Sequence, residues 1–251
     1  KSVGNENLDN IKIDIKFKNF NKLAKKRNEA LTSGILISDE YVPAKVQLGG
    51  KEYKINIRLK GDFLDHLIGE KWSFRIKVKD EETILGMKQF SLHNPNTRNF
   101  IYEWIYHKLL KKEGLISLRY NFLTLTVNGK NLGIYALEEH FEKRLIENNE
   151  RKEGPILRFD ESLHFVQILR AKPYELEIQS IPFTYGSYYS SYIDSFQTSK
   201  ILSDSIQFNS VLKGILLLES FRIGEKSTNE VFDVDKLSSF VALADIMGSY
   251  H

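Results

Sequence analysis

The sequence predicts an α+β fold in which an antiparallel sheet comes first and helices follow. Alternating apolar and polar residues flank Gly49-Gly50 and again flank Asn128-Gly129, which is the pattern of two β-hairpins. Between residues 208 and 216, apolar residues instead recur at helical spacing. Strands followed by helices indicate an α+β order, because doubly wound folds alternate strand and helix along the whole chain.

The first half of the chain holds the segments that predict the sheet. IKIDIKFKN alternates like a strand, and residues 20–31 have the pattern of a basic amphipathic helix that ends at Ser33-Gly34. The hairpin at Gly49-Gly50 comes next, and a turn over residues 80–86 separates the predicted strands KWSFRIKVK and MKQFSLHN. The hairpin at Asn128-Gly129 then leads into a charged helix over residues 138–149.

Helices and one loop account for the rest of the prediction. A helix with Trp104, Ile105 and Leu109 on one face ends near Gly114, and a last helix capped by an aspartate ends near residue 248. TYGSYYSSY is rich in hydroxyl groups, which predicts a loop-rich insertion near residues 180–205. We therefore expect a sheet-rich part over residues 1–160 and a mainly helical part over residues 161–251.

Composition excludes several classes of protein. Hydrophobic residues make up 41% and charged residues 27% of the 251-residue chain, which is too apolar for disorder. No run approaches the roughly 18 apolar residues of a membrane span. A net charge of +3 suits mild attraction to phosphate but not nucleic-acid binding, so we expect no nucleic-acid partner. With no cysteine, no HExxH and no glycine-rich nucleotide loop, thiol, zinc-protease and standard nucleotide-loop chemistry lack support.

Cationic side chains at alternate positions of two neighbouring strands form a candidate site. Arg58 and Lys60 share one face of a predicted strand, and Lys71 and Arg75 share one face of the next. Like charges face each other across a sheet at a cost unless an anion lies between them, which predicts a phosphate site. For any single lysine, a solvated strand face whose stem covers apolar neighbours is the alternative.

Five segments in a fixed order resemble the CotH kinase family, atypical protein kinases named for a bacterial spore-coat protein. The matching text lies between Ile55 and Asp160 and consists of RLKGD, KWSFRI, GMKQFSL, a helix ending in KKEGL, and VNGKNLGIYALEEHFEKRLIE. This resemblance implies a reduced protein-kinase-like fold, with a sheet-rich N-terminal lobe and a helical, incomplete C-terminal lobe. It also implies ATP with Mg²⁺ or Mn²⁺, and transfer of the γ-phosphoryl group to serines of a protein substrate.

The resemblance assigns roles to individual residues. Lys71 is the first candidate for contact with the ATP phosphates, and Arg58 and Lys60 could assist it. Glu139 occupies the family's acidic position and could orient a lysine or hold the nucleotide. Its alternative role is a first-turn acid favoured by the helix dipole. A polar loop that closes over phosphates, or else forms a plain surface turn, would contain Asp62, Asp65 and His66.

The resemblance places the catalytic aspartates outside the given chain. The catalytic base and a metal-binding aspartate are expected after the helix VDKLSSFVALADIMGSYH, beyond His251, unless the protein belongs to a branch of the family with an altered catalytic segment. We therefore assign no catalytic residue and expect the 251-residue chain by itself to transfer no phosphate. A noncatalytic CotH-like domain that binds partners or a structural layer of a cell surface is the competing function. The resemblance implies a bacterial envelope, secreted or spore-coat location.

Overall fold

The structure, a computed structural model, describes residues 8–37, 40–61, 64–160 and 191–248. The chain divides into two compact units, one of residues 1–108 and 117–140 and the other of residues 109–116 and 141–251. The division expected between residues 160 and 161 remains a prediction. Residues 180–190 of the expected insertion lie outside the described residues.

The first unit is built on seven strands that close into a barrel. The strands are β1 (Asn10–Asp14), β2 (Val42–Leu48), β3 (Lys51–Leu59), β4 (Phe74–Val78), β5 (Gln89–His93), β6 (Tyr120–Val127) and β7 (Lys130–Glu139). Their order around the barrel is β1-β2-β3-β4-β5-β7-β6. All neighbours pair antiparallel except β1 and β6, whose parallel pairing closes the barrel.

The prediction of a kinase-like sheet lobe followed by a helical lobe is wrong. The closed barrel overturns it, because β1 pairs with β6 through partners such as Ile11 and Leu125. Alternation along IKIDIKFKN identifies a strand but carries no information about a distant parallel partner. The two hairpins are confirmed, with Gly49-Gly50 between β2 and β3 and Asn128-Gly129 between β6 and β7.

Apolar side chains at every second position fill the barrel core. Ile55 and Ile57 of β3 are fully buried, as is Ile76 of β4. The same core cluster includes side chains from the other strands, among them Ile11, Ile13, Val46, Phe90, Leu92, Leu123, Leu125, Tyr135 and Leu137. Because side chains alternate between the two faces of a strand, the residues between them, such as Arg58 and Arg75, lie on the outer face.

Helices and short helical turns accompany the strands. They are α1 (Phe17–Ser33), α2 (Tyr102–Lys112) and the 3₁₀ turns Leu64–His66 and Pro95–Arg98. Phe20 of α1 stacks on Trp72 with ring centroids 5.5 Å apart. The stripe predicted on α2, Trp104, Ile105 and Leu109, is only half-buried, and His107 and Leu110 are the buried positions.

The second unit contains short strands and further helices. They are α3 (Lys143–Asn148), β8 (Leu157–Asp160), β9 (Tyr192–Ser195), α4 (Thr198–Ile201), α5 (Ser205–Arg222), α6 (Thr228–Val231) and α7 (Val234–Ile246). Strands β8 and β9 pair antiparallel. The carboxylates of Asp204 and Asp233 accept backbone N–H groups and so cap α5 and α7. Within the described ranges, no helix has the length and apolar character needed to cross a bilayer.

Candidate functional site

One row of side chains crosses five neighbouring strands on the outer face of the barrel. It runs from β3 through β4, β5 and β7 to β6, and each member lies directly opposite the next, in the order Arg58, Arg75, Ser91, Glu138 and Tyr120. We call these five residues the polar row. Ser91 is only 1% exposed and Tyr120 only 3%, so this part of the outer face is covered. Buried polar groups require partners, and the partners define the site.

A buried ion pair lies beside the polar row. Lys60 follows β3 on the same face as Arg58, is 8% exposed, and donates a hydrogen bond from Nζ to Oε2 of Glu138. Its backbone N–H donates to the carbonyl of Ser73 at 2.9 Å, which fixes its position. Burial alone raises the pKa of Glu138, but Lys60 and His93 lower it more, so that this pKa lies well below its ordinary value. The Glu138 carboxylate is therefore ionised at neutral pH; burial lowers the pKa of Lys60, and the charge of Glu138 opposes that effect.

Two histidines extend the buried network from this ion pair. Nε2 of His93 lies 3.3 Å from Oε2 of Glu138. Nδ1 of His66 lies 2.9 Å from Oγ of the buried Ser73, and the two histidine rings are 5.9 Å apart. Burial, together with a smaller effect of the neighbouring Lys60 charge, lowers the pKa of His66 to about 3. Burial also lowers the pKa of His93, so both rings are neutral at physiological pH.

A third neutral histidine contacts the cationic end of the polar row. Nη1 of Arg75 lies 2.5 Å from Nδ1 of His140. Burial lowers the pKa of His140 to about 3, and the charge of Arg75 acts in the same direction. A neutral imidazole can accept a hydrogen bond from a guanidinium, whereas a charged one cannot. The positive charge here therefore belongs to arginine and lysine.

A second ion pair lies close to the same network. Nε of Arg98 is 3.5 Å from Oε2 of Glu103, and Oε1 of the same carboxylate lies 3.6 Å from Nε2 of His107. The charge of Arg98 contributes to the lowered pKa values of Lys60 and His66, in both cases after the larger effect of burial. Among the described residues of this region, the cations Arg58, Arg75, Lys60 and Arg98 outnumber the carboxylates Glu103 and Glu138.

A comparison with known protein families gives a match that covers the polar row and most of the second unit. The family model described as CotH kinase protein matches residues 57–250. The chain belongs to this family. The resemblance stated for the RLKGD to LEEHFEKRLIE segments is thereby confirmed. A search of curated proteins returned no significant match.

The structure brings together only two of the predicted site residues of this CotH domain. Arg58 and Lys60 lie on one outer face at the end of β3. Lys71 lies elsewhere: its Nζ donates to the carbonyl of Ile134 at 3.2 Å and is 5.8 Å from the Tyr135 ring centroid. No contact joins Lys71 to Arg58 or Lys60 among the residues described. Whether the three bind one ligand stays a prediction.

Glu139 is held by an arginine of the CotH domain. It is 1% exposed, and its carboxylate accepts the backbone N–H of Arg119 at 2.9 Å and a second hydrogen bond from the guanidinium of Arg119. Of the predicted polar loop, Asp65 is exposed and His66 is buried, whereas Asp62 lies outside the described residues. The role proposed for Glu139 in holding nucleotide remains a prediction.

Sequence reasoning missed the residue that pairs with Lys60. Glu138 is next to the predicted Glu139 but points to the opposite face of β7. The register counted back from the Asn128-Gly129 turn could have found it, although an irregularity after Leu125 shifts that register by one step. The sequence pattern could not have identified Arg98 or His140. Arg98 lies on a 3₁₀ turn and His140 directly follows the end of β7, so strand alternation does not apply to either residue.

The described residues offer cations for a phosphate but no evident ligand set for a metal. In the described part of the chain, no group of three or more histidine, cysteine, aspartate or glutamate side chains is arranged to hold a metal ion. Glu138, Glu139 and Glu103 all have cationic partners. We therefore assign no residue of these ranges to a metal.

Gly61 lies close to the buried ring of His66. Its φ is +103°, and a Cβ there would lie 2.4 Å from Cδ2 of the His66 ring. We expect Gly61→Ala to lower the free energy of unfolding by about 2–4 kcal/mol, because backbone strain adds to a clash with a buried ring. Urea unfolding followed by circular dichroism measures this loss.

Gly50→Ala is the matched control for the clash. Gly50 also has positive φ, +78°, but a Cβ there would meet nothing within 4 Å. Only the left-handed backbone cost of about 1 kcal/mol is expected. Equal losses for the two variants would show that the contact of Gly61 with His66 contributes nothing.

Proposed function

We propose that this CotH domain binds the phosphates of ATP at the cationic end of the polar row. The observation that carries the proposal is the position of Arg58 directly opposite Arg75, with the shielded Lys60–Glu138 ion pair beside them. Two like charges side by side repel, and an anion between them would relieve that repulsion. In protein kinases a lysine held by a glutamate contacts the nucleotide phosphates, which is a similar use of such a pair.

The chemistry of these side chains suits phosphate oxygens. The planar guanidinium groups of Arg58 and Arg75 can each donate two parallel hydrogen bonds to one phosphate. Both residues are half-buried, so their charges are less screened than those of exposed lysines. Neutral His140 next to Arg75 adds hydrogen-bonding capacity without adding charge.

The full-length protein is proposed to transfer the γ-phosphoryl group of ATP to serines of a protein substrate. Mg²⁺ or Mn²⁺ would neutralise the developing charge on the phosphates when bound. In this proposal Lys71 is a further contact to the phosphates. Glu139 helps to hold the nucleotide by fixing the position of Arg119. Incubation of the full-length protein with labelled ATP and either metal, followed by detection of self-phosphorylation, tests the transfer step. A bacterial envelope, secreted or spore-coat location belongs to the same proposal.

Removal of the Arg75 guanidinium is expected to weaken ATP binding. Arg75→Ala should raise the Kd for MgATP about tenfold, since a charge-assisted hydrogen bond is lost. Calorimetric titration of the full-length protein measures this, and Lys71→Ala tests the second proposed contact separately. Lys54→Ala is the control, because Lys54 is an exposed cation on the same face of β3.

A loss of affinity in Lys54→Ala as large as in Arg75→Ala would indicate diffuse attraction and contradict a defined phosphate site. No ATP binding by the unaltered protein would favour the second candidate, a noncatalytic CotH-like binding or structural domain. One observation supports that candidate: Lys60 and Arg119 are already paired with Glu138 and Glu139. Such pairs can serve stability alone.

A further inference from the structure

A cavity in the second unit combines cationic and apolar walls. Its volume is about 300 Å³, and its lining includes Ile116, Ile146, Arg151, Lys152, Pro155 and Lys236. Ile146 is 8% exposed and Ile116 is 45% exposed. We call this site the basic pocket. It is separate in sequence from the polar row, so its properties can be tested independently of the proposed nucleotide site.

Backbone geometry holds Arg151 at the wall of the basic pocket. Glu150, which follows α3, adopts φ +54°, and the next N–H, that of Arg151, donates to the carbonyl of Ile146 at 3.1 Å. Helices commonly end with a residue in the left-handed conformation, followed by a backbone N–H that donates to a carbonyl of the last helical turn. Glycine is the usual residue at the left-handed position. The Arg151 guanidinium also donates to the carbonyl of Gly114. Arg151 is therefore positioned at both its backbone and its head group.

The charges around the basic pocket do not balance. The Lys236 ammonium pairs with Asp233, and that pairing, with a smaller contribution from Arg151, lowers the pKa of Asp233. The Lys152 ammonium has no hydrogen-bond or ion-pair partner within the ranges that the structure describes. Among the described residues, the lining thus carries three cations, Arg151, Lys152 and Lys236, and Asp233 offsets one of them, which leaves two positive charges in excess.

We infer that the basic pocket binds a phosphate monoester dianion, supplied by a phosphorylated serine of a protein segment or by free phosphate. A phosphate monoester carries about −1.5 to −2 charge at pH 7, which complements the excess, whereas a carboxylate supplies only about half of it. Arg151 offers the planar fork that binds two phosphate oxygens. Ile146 and Pro155 give a surface on which the carbon chain of a phosphoserine peptide can pack.

Binding of a phosphoserine peptide to the full-length protein tests this inference. A fluorescent peptide with one phosphoserine is expected to bind more tightly than the same peptide with serine or glutamate. Lys152→Ala should raise its Kd about five- to tenfold, because one charge-assisted contact is lost. Lys213→Ala is the control, since Lys213 is exposed on α5 and does not line the pocket. Affinity should also fall below pH of about 6, where the phosphate becomes a monoanion.

Competition with inorganic phosphate identifies the source of the dianion. Displacement of the peptide only at phosphate concentrations far above the peptide Kd supports a phosphorylated protein segment. Displacement at similar concentrations supports free phosphate in the same pocket. No binding of either ligand, equal binding of the phosphoserine and glutamate peptides, or equal effects of Lys152→Ala and Lys213→Ala would overturn the inference. Unchanged MgATP affinity in Lys152→Ala separates this result from that of the polar row.

Discussion

Glu138→Ala is expected to lower the free energy of unfolding by about 3–5 kcal/mol, because it leaves the Lys60 ammonium buried without its carboxylate. Lys60 is 8% exposed, and the Glu138 side chain is 18% exposed. Removal of one partner of a buried pair leaves the full desolvation penalty of the other. Lys60→Met should cause a comparable loss, since it leaves the Glu138 carboxylate without its cation. Chemical unfolding at pH 7 measures both losses.

The double variant Lys60→Met/Glu138→Leu shows whether the single variants lose stability because a buried charge is left unpaired or because packing is lost. It should be more stable than either single variant, because apolar side chains of similar volume can replace a buried pair at little cost. Glu52→Ala is the surface control: Glu52 pairs with Lys45 at 2.7 Å, but both side chains are about half exposed, so little change is expected. A double variant as unstable as the sum of the single losses would contradict this account.

The same ion pair shows how far the sequence could predict the site. Alternation along RLKGD correctly places Arg58 and Lys60 on one outer face, and alternation along KWSFRI places Arg75 on the neighbouring strand. The partner of Lys60 depends on the register of β5 against β7, which long-range packing decides. Glu139 is assigned from the family's acidic position, and its role stays a prediction; the carboxylate that meets Lys60 is that of Glu138.

For the fold as well, features set by neighbouring residues could be predicted, whereas pairings between distant strands could not. Both hairpins could be predicted, because Gly49-Gly50 and Asn128-Gly129 supply the positive φ values that tight turns require. Closure of the barrel could not, because it depends on β1 meeting β6 in parallel. A strand's apolar alternation fixes which face is buried but does not identify its neighbour. The kinase-like lobe was therefore inferred from family resemblance, and the barrel corrects it.

Acid is expected to destabilise the first unit from about pH 6.5 downward, the ordinary pKa of histidine. Burial lowers the pKa values of His66 and His140 to about 3. Between these limits the unfolded chain binds protons at both residues and the folded protein does not. Stability therefore rises with pH in this window and falls as pH decreases, by about 1.4 kcal/mol per pH unit for each histidine that stays neutral.

Unfolding free energies measured at intervals from pH 7 to 4 test this dependence in the protein and in His66→Asn/His140→Asn. The double variant starts less stable, but its slope between about pH 6.5 and 4.5 should be smaller, since asparagine does not titrate; the slope that is left comes from His93, whose pKa burial also lowers. An unchanged slope would contradict the assignment to these two rings.

Glu138 provides an internal reference because it acts in a different pH window. Lys60 and His93 hold its pKa well below the ordinary value, although burial opposes them. Its contribution is therefore fully present above about pH 4.3, the unfolded value, and is lost only as pH falls further toward its folded pKa. A loss of stability that begins near pH 6.5 and steepens below about pH 4 would show histidine and carboxylate acting in succession. This order follows from the unfolded pKa values, which are about 6.5 for histidine and about 4.3 for glutamate.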